Sequence, residues 1–318
     1  MTVSTLDRPS STTGRSSLLP GLALAALFST ILLIAMGSIV RVTGYGLGCP
    51  DWPLCYGQVI PPGVTGAWVE FTHRLLGAAA SVQIILVALL AWRSYRDRPW
   101  VFWPGIASVA LLVLQITLGG LHVIFEIPPV TGWIHTGVAM LIVGLIAVVV
   151  SGTQPALQPL RKAVILNNRR FAAWLSVTTV ATYFLLLTGS YVTRSGASLA
   201  CPSFPLCGSD APAMRRLIDI QMLHRFTAYS VAVLTVVLVI WLLAGQKDQG
   251  LKRYALVVGV LLLAQLGLGA SNVLLRLPMW SRVLHLAVAA TFWASLVVLW
   301  SLRYTHRQVP KAAVAPQD

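Results

Sequence analysis

Hydrophobic and polar positions along this chain alternate on the scale of a bilayer. Eight long apolar runs, at 18–42, 67–92, 102–123, 131–151, 170–193, 215–243, 251–274 and 280–303, are separated by short polar stretches. Each approaches or exceeds the roughly 20 residues that an α-helix needs to cross about 30 Å of hydrocarbon. The ten-residue tracts of alternating polarity that build a membrane barrel are missing, and a lipid-exposed backbone must satisfy its own polar groups. The pattern therefore predicts an all-α integral membrane protein with eight transmembrane helices. The first run follows a polar tail with Arg8 and Arg15, is too long for a signal-peptide core and has no clear small-residue cleavage site. It is read as a retained helix.

Composition agrees with this reading: 57% of the 318 residues are hydrophobic and 10% are charged, too apolar for a soluble domain with a wetted surface. A net charge of +14 would suggest nucleic acid in a soluble chain. Here 15 of the 23 basic residues fall in alternate polar stretches, from Arg8 and Arg15 through Arg161 and Lys162 to Arg307 and Lys311. The bias of basic residues toward the inner side makes those stretches cytoplasmic, places both termini there, and removes nucleic acid as a partner.

The chain also repeats itself. C-P-D-W-P-L-C from Cys49 returns as C-P-S-F-P-L-C from Cys201, and G-S-I-V-R-V-T-G from Gly37 returns as G-S-Y-V-T-R-S-G from Gly189. His73-Arg74 matches His224-Arg225, Gln115 matches Gln265, and His135 matches His285, with an offset that stays between 150 and 152. A duplicated four-helix unit follows. Because four is even, the copies enter and leave on one side, which predicts two tandem four-helix bundles related by a pseudo-twofold axis along the membrane normal. The expected divisions are a cytoplasmic tail at 1–17, bundles at 18–151 and 170–303, a cytoplasmic linker at 152–169 and a tail at 304–318.

All four cysteines lie in the first and third outward-facing loops, Cys49 with Cys55 and Cys201 with Cys207. Two thiols six positions apart in an oxidising space, with no second pair nearby to complete a zinc site, are expected to form a local disulfide in each loop. Free thiol pairs are the alternative, and a redox role for Cys49 and Cys55 stays open.

Four of the six histidines, His73, His135, His224 and His285, fall near the outer ends of the even-numbered helices and therefore at similar depth. A lone buried histidine is more often a hydrogen-bonded core residue than a ligand. Two per repeat at matched positions suit the two axial positions of a haem iron inside a bundle, whereas zinc or copper would want further ligands that the helices scarcely offer. Arg74 and Arg225 need anionic partners, for which a haem propionate and a headgroup phosphate or loop carboxylate compete. His122 is expected in a solvated or supporting position, and nothing specific is expected of His306.

The halves differ in one place that carries chemistry. Glu70 stands three residues before His73, whereas Gln221 stands three before His224. Positions i and i+3 share a helix face, so only the first half sets a carboxylate beside its histidine, where it could act as a general base or simply orient the imidazole or meet Arg74. His122 against Asn272 and Glu126 against Arg276 also set the first outer face apart.

These residues resemble the haem A synthases, membrane enzymes of cytochrome oxidase biogenesis. The resemblance spans about 20–303 and rests on G-S-I-V-R-V-T-G-Y-G-L-G-C-P-D-W-P-L-C, E-F-T-H-R-L-L-G, I-H-T-G, H-R-F-T and L-H-L-A. It implies oxidation of the C8 methyl of haem O to a formyl group, giving haem A, through successive hydroxylations and loss of water. By the same resemblance His73 and His135 would hold the substrate haem, Glu70 would assist the chemistry, and His224 and His285 would hold a resident haem b. A disulfide in the first outer loop, and another in the third, are also implied. Haem O synthase, cytochrome oxidase assembly factors, an unidentified electron acceptor and a second copy of the chain are the further partners considered. Tyr45 departs from the family's small residue, and the second loop lacks the D-W of the first. The rival readings are a di-haem b-type electron carrier and a haem-transfer protein; a prenyltransferase is disfavoured because the nine acids form no magnesium-binding cluster.

Overall fold

The structure is a computed structural model that describes residues 16–161, 163–208, 211–245 and 247–305. Arg8, Arg15, Lys162, His306, Arg307 and Lys311 lie outside them. Eight long helices appear where the apolar runs predict them: α1 (Leu18–Val42), α2 (Thr65–Ser94), α3 (Pro99–Ile124), α4 (Pro129–Thr153), α5 (Arg169–Arg194), α6 (Arg215–Gly245), α7 (Gln249–Leu274) and α8 (Met279–Thr305). All eight are long and apolar enough to span a bilayer. Among the described residues there is no strand, only an isolated bridge between Cys55 and Gln58.

Helix ends differ from the apolar runs by a few residues, for local reasons. α3 and α4 begin early at Pro99 and Pro129, where the missing N–H costs no hydrogen bond. Asn168 caps α5 by accepting from the N–H groups of Arg170 and Phe171 at 2.9 and 3.1 Å, and Asp248 caps α7 through Leu251 at 2.9 Å. The α3–α4 and α7–α8 turns repeat each other: Glu126 and Ile127 have φ of 53° and 60°, Arg276 and Leu277 55° and 62°. Four non-glycine residues held in the left-handed region show the duplication at backbone level.

The linker at 152–169 is largely helical among its described residues. α4 runs on to Thr153, and short helical turns follow at Pro155–Leu157, Gln158–Arg161 and Val164–Asn167. Leu160, Ile165 and Leu166 are buried in the second core, and Arg303 Nε donates to Leu166 O at 2.9 Å while Arg161 donates to Ser151 O. Apolar side chains at near-helical spacing between the polar ones make the difference.

α1 packs on α2 and α4, and α3 closes the ring between α2 and α4; α5 packs on α6 and α8, and α7 closes the second ring in the same way. The rings meet where α4 touches α5 and α8 and where α1 touches α8. α4 is consequently buried along nearly all of its second half, from Ile142 to Thr153. Polar pins cross this seam: Trp293 Nε1 donates to Met140 O at 2.8 Å, and Ser301 Oγ to Ser151 Oγ at 2.6 Å. Gly144 admits the Trp293 ring, since a Cβ there would meet it at 3.3 Å.

Candidate functional site

The site grows from the two cysteine loops, which cover one face of the helices. Both pairs are disulfide-bonded, Cys49 with Cys55 and Cys201 with Cys207, and among the described residues no cysteine is free. In the first loop the Asp51 carboxylate accepts from the N–H groups of Tyr56 and Gly57 at 2.6 and 2.7 Å. The Gly57 N–H above all, helped by the Tyr56 N–H and the nearby Arg74 charge, holds this exposed carboxyl below its ordinary range. Trp52 lies over Gly120 near the end of α3, where a Cβ would stand 3.1 Å from the indole. Tyr45, out of keeping with the family pattern, fits because it rests on Gly66, where a Cβ would meet its ring at 2.9 Å.

Each loop is fastened to the helix below by the same clasp. Arg74 donates to the carbonyls of Leu54, Asp51 and Cys49 at 2.7, 3.0 and 3.4 Å, and Arg225 donates to those of Ser203, Cys201, Leu206 and Pro205 at 2.7, 3.0, 3.1 and 3.2 Å. Both guanidinium groups, for which the sequence offers haem propionates, are thus taken up by loop carbonyls. Glu70, 4% exposed, accepts from the Cys49 N–H at 2.9 Å and from Arg74 at 2.6 Å. Gln221 copies half of this: its Oε1 accepts from the Cys201 N–H at 2.7 Å, while its Nε2 donates to Ser198 O at 3.0 Å rather than meeting Arg225. The carboxylate singled out by the sequence is therefore buried, paired and tied to the disulfide loop.

The four helix histidines lie one to three turns below the loops, as the sequence predicts. In each ring the two histidine-bearing helices stand on the diagonal, and His73 lies within electrostatic reach of His135, as His224 does of His285. Glycines leave room for the rings. A Cβ on Gly37 would come within 3.0 Å of His73 Cε1, on Gly189 within 2.9 Å of His224 Cε1, on Gly119 within 3.6 Å of His135 Cε1 and on Gly269 within 3.4 Å of His285 Cε1. The same α1/α5 and α3/α7 glycines thus shape both pairs, a role the matched motifs contain but do not announce. Nδ1 of His73 and of His135 is buried without a hydrogen-bond partner among the described residues. His224 Nδ1 meets Thr188 Oγ1 at 3.1 Å, and His285 meets Gln265 Nε2 at 3.2 Å.

Two imidazoles facing each other across a bundle, with small residues beside them, fit a flat metallo-macrocycle. Among the described residues no group of three or more His, Cys, Asp or Glu comes together, as a zinc or copper centre would want. His122 takes the supporting one of the two positions expected for it. Its Nδ1 lies 2.9 Å from Thr131 Oγ1, and its ring stacks on His135 at 6.4 Å and 17°. Its counterpart in the second half is Asn272, whose Oδ1 is buried without a partner.

Comparison with known proteins places this geometry. A family model described as a cytochrome oxidase assembly protein, COX15-CtaA, matches residues 21–66 and 63–297. The chain is 31% identical to "Heme A synthase" of Shouchella clausii (strain KSM-K16) over 217 residues, covering 66% of this chain and 71% of the relative. It is 26% identical to "Heme A synthase" of Geobacillus kaustophilus (strain HTA426) over 301 residues, 92% of this chain and 93% of the relative. A "Heme A synthase" of Bacillus cereus (strain 03BB102) is 28% identical over 244 residues, 75% and 78% of the two chains.

Proposed function

The chain belongs to the COX15-CtaA family of cytochrome oxidase assembly proteins, and on that premise we propose how its two halves divide the work of a multi-pass membrane haem A synthase. The substrate is haem O and the product haem A. The reaction is an oxidation: turning the C8 methyl into a formyl group removes four electrons, through two hydroxylations and loss of water from the diol, with the oxygen atom and the final electron acceptor both supplied from outside this chain. His73 and His135 hold the substrate iron, which fixes the porphyrin so that one edge methyl is presented in a single orientation. Glu70 takes and returns protons at that site. His224 and His285 hold a resident haem b, which when bound supplies a redox centre for electrons leaving the first half.

The observation that carries this division is the clasp. Both halves hold their loop through the same backbone N–H, yet the first uses a carboxylate and the second a carboxamide. A purely structural clasp needs no charge, because Gln221 does the holding without one. The matched ring contacts support a pseudo-twofold axis along the membrane normal, and the distribution of basic residues supports cytoplasmic termini with the loops facing outward.

The test is to co-express the chain with a source of haem O in a host lacking haem A, extract the haems, and identify them by chromatography and mass. Haem A is the expected product. Recovery of haem O and haem b unchanged, despite a bis-histidine spectrum, would hand the protein to the rival reading of a di-haem electron carrier.

A further inference from the structure

We propose that Arg194, carried by α5 of the second half, binds a propionate of the haem substrate held in the first half. This rests on the assignment of His73 and His135 to that substrate.

The argument starts from Gly132. It lies one turn before His135 on α4, about 4.5 Å along the helix axis, and i and i+3 share a face. A Cβ built on Gly132 would fall 2.3 Å from Arg194 Cζ and 2.5 Å from one of its terminal nitrogens. The guanidinium therefore lies against the α4 backbone in the space that glycine leaves free, one turn above the proposed iron ligand. It reaches there from the neighbouring bundle. His135, His122 and Arg41 all lie within electrostatic reach of it.

What Arg194 lacks is an anion. Among the described residues its guanidinium makes no hydrogen bond or ion pair, although it is only half exposed at the end of a membrane helix. Arg74 and Arg225, nearer in sequence to the histidines, are already spent on loop carbonyls. A cation so placed fits a ligand carboxylate. Arg194 also lines a cleft of about 410 Å³ between α4, α5 and α6, with Trp133, Tyr191, Leu217 and Ile220 as walls and Arg216 as its second cation. No acid lines that cleft.

The repeat sharpens the assignment. The residue matching Gly132 in the second half is Arg282, on α8 itself, and the residue matching Arg194 in the first half is Val42. The second half carries an arginine one turn before its own histidine, whereas the first has a glycine there and receives Arg194 from outside. This trans contribution makes the first site depend on the second bundle for more than electrons.

The test uses the full chain, purified from a host that makes no haem O, titrated with Fe(III) protoporphyrin IX and with its dimethyl ester. Binding is followed in the Soret band, and His135→Ala identifies the part of the signal that belongs to the first pair. The expected result is that wild type binds the free acid about tenfold more tightly than the ester. Arg194→Gln should remove that preference while leaving ester affinity within about twofold, and Arg194→Lys should restore part of it. Equal binding of acid and ester by wild type, or equal weakening of both in Arg194→Gln, overturns the proposal while leaving the histidine pair standing. Absence of any His135-dependent signal with either porphyrin overturns the ligand assignment and the proposal with it.

Discussion

Glu70→Gln separates chemistry from architecture because the molecule already contains the substituted clasp. In the second half a glutamine accepts from the loop amide at 2.7 Å and gives its own N–H to the carbonyl of Ser198. At position 70 the Cys49 N–H offers the same backbone donor, so the variant can keep the loop. What it loses is the charge-assisted contact to Arg74, whose side chain is 18% exposed and retains three loop carbonyls. A partly buried pair of this kind is worth about 1–2 kcal/mol, against roughly 5–15 kcal/mol for a folded domain. Folding should therefore survive. If Glu70 moves protons in the reaction, its loss costs on the order of 100-fold to 10,000-fold, about 3–5 kcal/mol of barrier. The assay is the ratio of haem A to haem O in extracts of the co-expression host, read beside the Soret spectrum of the purified protein. The expected result is a normal bis-histidine spectrum with at least a hundredfold fall in haem A formation. Glu70→Ala leaves both the Cys49 amide and Arg74 short of a partner, at about 1–3 kcal/mol each, and should lose loop and activity together. Haem A formation within severalfold of wild type in Glu70→Gln would falsify the proton-transfer role and leave Glu70 as a loop clasp alone.

Three further outcomes follow from the same geometry. Gly37→Ala and Gly189→Ala each drive a methyl to about 3 Å from a histidine ring carbon, so each should weaken haem retention in its own half only, seen as loss of one of two bis-histidine redox midpoints in a potentiometric titration. Gln221→Glu should leave a second site that binds haem and makes no product, so paired expression with Glu70→Gln should not rescue haem A formation. Asp51 has its pKa depressed in the folded loop, so its contribution is present above the ordinary carboxylate value of about 3.9 and is lost as pH falls through the lowered one. Hydrogen exchange at Tyr56 and Gly57 should therefore stay slow from neutral pH down to about 4 and quicken below it once the intrinsic pH dependence is removed, whereas Asp51→Asn should abolish that added step.

The fold was legible because a bilayer leaves the chain few options. Eight apolar runs became eight helices, with ends displaced by three residues or fewer, several of them at local boundaries set by Pro99, Pro129, Asn168 and Asp248. The helical turns of the linker were not legible, because its apolar residues are too few to make a long apolar run yet correctly spaced to be buried beside α7 and α8. The matched placement of the four helix histidines, and of Glu70 against Gln221, was legible from the repeat. The pairing of Glu70 with Arg74 was among the options the spacing left, but the loop carbonyls around Arg74 and Arg225 were not legible, because a guanidinium inside a membrane helix announces only that it needs acceptors, and a tight loop can supply carbonyls as well as a ligand can supply carboxylates. Arg194 was invisible for a different reason: its meaning depends on Gly132, 62 positions away and in the other half of the repeat.

That last pairing bears on how a duplicated protein acquires two unlike sites. Copies of one unit begin with the same histidines, the same flanking glycines and the same arginine clasp, and those parts have stayed alike here. Divergence is concentrated at the disulfide face, in Glu70 against Gln221, His122 against Asn272, Trp52 against Phe204, and Gly132 against Arg282. Each change leaves the matched histidines and their flanking glycines in place. If the two histidine pairs hold macrocycles as proposed, differences of a single charge or a single side chain suffice to make one of them a reactant and the other an electron store.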